Sequence, residues 1–163
     1  MTDSITLDRI GPGSGVLRAR ASLPWPRERV FPFFADAANL ARITPAEMGF
    51  EIISPQPVIM RVGALIDYRI RVWGAPLRWQ TVISRWAPPF EFVDEQLRGP
   101  YAEWIHRHRF TDAGPEETIM EDEVRFRLPF GRLGALATPL IRWQLRRIFE
   151  FRSQAITSAL AGS

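Results

Sequence analysis

At 163 residues, 46% hydrophobic and 24% charged, the chain has the composition of one globular domain large enough to bury a core. It has no cysteine, which excludes disulfides, a thiol nucleophile and thiolate metal sites, and no stretch approaches the roughly 20 apolar residues that span a bilayer. The isoelectric point near 10.4 reflects arginine at all 21 basic positions rather than a nucleic-acid footprint, because the net charge is only +3 and the arginines are scattered.

With Asp3 and Asp8 and no apolar run, the N-terminus does not read as a signal peptide, and the expected location is cytoplasmic. Residues 1–14 end in Gly-Pro-Gly-Ser and read as a loose lead-in. Val16 to Leu23 alternates as a half-buried first strand. Pro26 opens a short helix whose apolar side is Val30, Phe31, Phe33 and Phe34. Asp36 then caps a second, which Thr44-Pro45 ends. Strands follow over 50–54, 65–73, 77–86 and 90–97, with turn signals at Gly74-Ala75-Pro76 and Arg98-Gly99-Pro100-Tyr101.

The next strand organises the rest. Trp104, His106, His108 and Phe110 fall on one face, and Ile105, Arg107 and Arg109 on the other. Two arginines are most easily solvated, so the face with the protein's two histidines points inward. Thr118 to Leu128 is the last strand. From Leu133 to Leu160 a long helix carries Leu140, Ile141, Leu145, Ile148, Phe149, Ile156 and Leu160 on its apolar side. Arg142, Arg146, Arg147, Glu150 and Arg152 are read onto its solvated side.

This order predicts an α+β fold: a seven-stranded antiparallel sheet wrapped around the long C-terminal helix, with two short helices between strands 1 and 2. The chain resembles the START-like helix-grip superfamily, also called SRPBCC, over nearly its whole length. The motifs are Phe34-x-Asp36-x-x-Asn39-Leu40, Gly63-x-x-Ile66-x-Tyr68 and Trp79-x-Thr81-x-Ile83-x-x-Trp86, then Phe92-x-Asp94-x-Gln96-x-x-Gly99-Pro100-Tyr101. Trp104-x-His106-x-His108-x-Phe110, Met120-x-Asp122-x-Val124 and Ile148-Phe149-x-Phe151-Arg152 complete them. The superfamily includes the birch-pollen allergen type, lipid-transfer domains and aromatic polyketide cyclases. This chain looks like one of its small bacterial ligand-binding members. The resemblance implies a single START-like domain over 1–163 with a cavity between sheet and helix.

Pairing the strands through tight turns places Asp94 opposite His106, Phe92 opposite His108 and Gln96 opposite Trp104. A loop centred near Gly114 would then set Asp122 against His106 and Met120 against His108. The row Asp94, His106, Asp122 admits three readings. It is a structural tie in which carboxylates satisfy a buried imidazole, a recognition element for a mostly apolar ligand, or an acid–base group centred on His106. On the second reading Tyr68, Trp79, Phe92, Trp104 and Phe126 are the walls, and Asp94, Gln96, His106, His108 and Asp122 the polar contacts. On the third, two ionised neighbours favour the imidazolium and hence an acid. His-x-His on a strand arises from alternation alone, so no metal and no cofactor are expected. The expected function is binding a small hydrophobic or amphipathic molecule, lipid-like or aromatic, by a monomer or homodimer. The alternative is a polyketide cyclase- or dehydratase-like enzyme using His106 with Asp94 or Asp122. A third is a partner module using the arginine-bearing helix.

Overall fold

The computed structural model describes residues 2–162. Eight strands form one antiparallel sheet. They are β1 (Thr2–Gly11), β2 (Ser14–Leu23), β3 (Glu51–Ile52), β4 (Leu65–Val72), β5 (Ala75–Ala87), β6 (Glu91–Arg98), β7 (Glu103–Gly114) and β8 (Glu117–Arg127). Their spatial order is β1-β2-β8-β7-β6-β5-β4-β3, so β3 to β8 form a meander and β2 closes against β8. Helix α1 (Arg27–Ala35) and two 3-10 turns, Ala37–Ile43 and Ala46–Met48, connect β2 to β3. Helix α2 (Gly131–Gly134) and a 3-10 turn, Ala135–Ala137, lead into the long helix α3 (Thr138–Ala161). Among the described residues no helix is long and apolar enough to cross a membrane.

Local chemistry explains most of these elements. The Pro26 carbonyl accepts from Arg29 and Val30 at 2.9 and 3.1 Å, starting α1, and Pro32 keeps that helix to nine residues. The Asp36 carboxylate accepts from the Ala38 N–H at 2.9 Å, capping the following turn as its sequence position suggests. The alternation in β7 is realised. His106, His108 and Phe110 are buried, whereas Arg107 reaches outward and donates to Glu91 on β6 at 3.0 and 2.6 Å. Helix α3 lies across the sheet, with Leu145 and Phe149 packed against Leu17, Val124 and Phe126. Its other end places Ile156 and Leu160 among Leu23, Phe33, Phe34 and Met120.

Three expectations are corrected. The sheet has eight strands rather than seven, because the segment read as a loose lead-in is β1 over Thr2–Gly11; Met1 lies outside the described residues. The Gly11-Pro12-Gly13-Ser14 run is a hairpin turn, with Gly13 at φ +69°, and not a linker. Leu7 sits opposite Leu17 and joins the core, and the Leu7 carbonyl accepts from Arg142 of α3 at 2.7 Å. The strand expected over 50–54 shrinks to Glu51–Ile52. The β7–β8 register also differs: His106 faces Val124, His108 faces Asp122 and Phe110 faces Met120. A bulge between Asp112 and Gly114 and a turn centred beyond Gly114 shift the partner by two residues. A shift of two preserves the face, so Asp122 still points inward.

If β1 is an integral strand, Leu7→Ala should lower unfolding free energy by about 2–3 kcal/mol, read as a lower urea midpoint at unchanged slope. A change within experimental error would mean that the segment contributes nothing to the core.

Candidate functional site

Alternation puts His106 and His108 two residues apart on one face of β7, where their rings lie 3.8 Å apart between centroids. Asp94 reaches them from β6 and Asp122 from β8. His106 Nε2 is 2.9 Å from Asp122 Oδ1, and His108 Nε2 is 3.0 Å from Asp94 Oδ2. The other nitrogens close the circuit. His108 Nδ1 lies 2.8 Å from Asp122 Oδ1, as a charge contact without hydrogen-bond alignment, and His106 Nδ1 lies 3.8 Å from Asp94 Oδ2. Two imidazoles and two carboxylates therefore alternate around a ring that ties three strands together. Phe92 stacks on His108 at 4.2 Å, and Phe149 of α3 stands edge-on to His106 at 5.8 Å.

The four groups do not titrate alike. Burial works against charge on His108, but Asp122 and Asp94 outweigh it, so its pKa is raised. Burial pushes His106 down and the neighbouring His108 charge pushes it further; the carboxylates do not compensate, so its pKa is lowered. Burial alone would raise both carboxyls. The imidazoles and their hydrogen bonds reverse this, holding Asp94 and Asp122 below the usual carboxylate range. Of the two rings, His108 is thus the one whose charged form is favoured. The expectation of an imidazolium at His106 is corrected by burial first and by the neighbouring ring second.

The ring forms one wall of a cavity of about 210 Å³ between the sheet and α3, partly open to solvent. Of the residues read from sequence, Tyr68, Trp79, Phe92, Trp104, Asp94, His106 and His108 line it. Tyr68 stacks on Trp79 at 5.9 Å, and Trp104 stands edge-on to Trp79 at 5.3 Å. Burial raises the Tyr68 and Tyr101 hydroxyl pKa values, so both stay neutral.

Three residues read as ligand contacts do not line this cavity. Gln96 folds over its own turn, donating to the Tyr101 carbonyl at 2.7 Å and accepting from the Tyr101 N–H at 3.2 Å. A side chain at Gly99 would collide with it. The ladder between β6 and β7 ends at Glu95 and Ile105, so Gln96 is not paired with Trp104. Phe126 is wholly buried behind the cavity, packed beneath Gly15 and against Tyr101. Asp122 stands behind the imidazoles and positions them from the far side.

Sequence reading missed much of the lining, including the polar residues Thr44, Thr81, Gln144 and Arg152. Thr81 is buried, 3.4 Å from the Tyr68 hydroxyl. Arg152, read onto the solvated side of the helix, is 9% exposed and lies over Phe149. Its signal was the spacing Leu145, Phe149, Arg152, Ile156, which sets it within the apolar stripe. Asp94, His106 and His108 each offer a ligand atom within 4.8 Å of one another, the donor set of a two-histidine, one-carboxylate metal site. Both Asp94-facing nitrogens are already engaged in the ring, with the Arg152 charge beside it.

The two histidines are the only ones in the chain, so their NMR titrations are separable. His108 should titrate above its ordinary value of about 6.5 and His106 below it. Asp122→Ala should lower the His108 pKa and cost about 3 kcal/mol of stability near neutral pH. The signs follow from linkage. The lowered carboxyl pKa values stabilise the fold above about pH 4 and lose that contribution as pH falls through them. Raised His108 contributes in full below about 6.5 and is lost as pH rises through its folded value. Equal titration of the two rings would contradict the asymmetric ring.

No protein-family model and no curated protein matches the sequence. Solved structures do match the fold. A START superfamily protein from Mycobacterium smegmatis superposes with TM-score 0.67 at 12% identity, covering 90% of this chain and 97% of that one. The Zhui aromatase/cyclase from Streptomyces sp. R1128 gives 0.64 at 18% identity, covering 91% and 92%. Norcoclaurine synthase from Thalictrum flavum gives 0.68 at 11% identity, covering 94% and 98%. The chain therefore has the START-like helix-grip fold, a curved antiparallel sheet closed around a long C-terminal helix.

Proposed function

We propose that the protein binds a small hydrophobic or amphipathic molecule, lipid-like or aromatic, in the cavity between the sheet and α3. The observation that carries this is the cavity itself: about 210 Å³ walled by Tyr68, Trp79, Phe92, Trp104 and Phe149 and floored by the histidine ring. Apolar walls with a few placed polar groups are the usual make-up of a small-molecule site. The likeness to a START superfamily protein supports the reading at the level of fold.

A second reading rests on His106. Its ring lines the cavity, has a pKa lowered by burial, and is oriented through Nε2 on Asp122, the arrangement of a general base with a carboxylate behind it. The fold likeness to an aromatase/cyclase is an analogy for this role. A binder should keep most of its affinity after His106→Gln, whereas a base-dependent enzyme should lose nearly all turnover.

Native mass spectrometry of freshly purified protein, with extraction of the denatured sample, should reveal one small apolar molecule per chain. The neutral dye N-phenyl-1-naphthylamine should bind saturably, and Thr81→Trp, which fills the cavity, should abolish that binding. A bare mass together with no saturable dye uptake would sink the binding reading.

A further inference from the structure

Resting on that reading of the cavity, we infer that its ligand is an apolar molecule carrying one carboxylate, seated on the guanidinium of Arg152. Arg152 projects from the apolar stripe of α3 into the space between helix and sheet and is 9% exposed. Among the described residues it makes no hydrogen bond, and its Nε and Nη1 are buried without an acceptor. Its one ion pair among the described residues, with Asp122 Oδ2 3.9 Å from Nη1, is beyond hydrogen-bond reach. A guanidinium has five donors, and burying them unpaired is costly, so a buried arginine is ordinarily satisfied by carboxylates or carbonyls.

One oxygen of each nearby acid is already committed. Asp122 Oδ1 faces both imidazoles, and Asp94 Oδ2 faces both as well. A second orphan points the same way: Trp79 Nε1–H is buried in the cavity wall with no acceptor. His108 Nδ1 is the remaining unaligned atom among the lining residues, and it too is a nitrogen. Every buried side-chain atom of the lining left without a hydrogen bond is therefore a nitrogen. A planar carboxylate matches the guanidinium fork in geometry and in charge, which a lone carbonyl does not. The added negative charge meets a cluster able to take up a proton. His106 is faced by Asp94 from β6, Asp122 from β8 and His108 on its own strand, with Arg152 of α3 across Asp122. It is the ring of that group whose pKa is lowered, by burial and by the His108 charge.

Calorimetric titration of the full chain near neutral pH with 2-naphthoate and with the methyl ketone 2-acetonaphthone tests this. The wild type should bind the acid at least about tenfold more tightly than the ketone. Arg152→Met, which keeps the stem over Phe149, should erase that preference, and Arg146→Met on the exposed side of α3 should keep it. Equal affinity of the wild type for the two probes, or a preference surviving in Arg152→Met, overturns the carboxylate assignment and leaves the cavity reading standing. Binding of neither probe overturns both. If Arg152→Met fails to fold, the wild-type ratio of acid to ketone decides alone.

Discussion

Burying two carboxylates and two imidazoles side by side is possible here only because each group supplies what the others lack. A lone buried carboxylate would take a proton, and a lone buried imidazole would lose one. In the alternating ring, both imidazoles favour the ionised forms of Asp94 and Asp122, the two acids favour charge on His108, and burial with the His108 charge disfavours it on His106. The arrangement requires β6, β7 and β8 to hold register, since a slip of one residue on either flank would carry an acid to the outer face. It thereby fixes the middle of the sheet, where Phe92 and Phe149 pack on the rings and the cavity begins.

Much of this is legible in the sequence because it follows from period and parity. The inward face of β7 follows from Arg107 and Arg109 needing water, and the pairing of Asp94 with His106 follows from the tight turn before Tyr101. The β8 register was misplaced by two residues, because the turn centres beyond Gly114, at Pro115 and Glu116, and the bulge after Asp112 offsets only part of that displacement. Parity rescued the placement: Asp122 still met the histidines, through His108 directly and His106 diagonally.

Other features escape one-dimensional reading for specific reasons. β1 was hidden behind a Gly-Pro-Gly run that looks like a linker but closes a hairpin, while Leu7 gains its meaning only from Leu17 and α3. Gln96 lies on a strand beside the cavity, yet satisfies two backbone groups of its own turn, a local bond that competes with any ligand contact. Arg152 was assigned to water by residue type. Its helical position, one turn from Phe149 and one from Ile156, outweighs its charge.

These assignments divide the labour of the site between its two layers. The sheet layer is the more satisfied one: each histidine makes one aligned hydrogen bond to an acid, and its second nitrogen lies near the other acid. The helix layer is not, since the Arg152 guanidinium lies against the cavity with its donors unused. A structural role for the ring and a binding role for the cavity therefore support each other. A floor whose hydrogen bonds are already made will not reorganise when an apolar ligand arrives, so recognition is left to walls and helix. Proteins at 11 to 18% identity share this backbone path alone, so what the cavity admits depends on this chain's own residues, the histidine–aspartate ring below and the buried Arg152 guanidinium above.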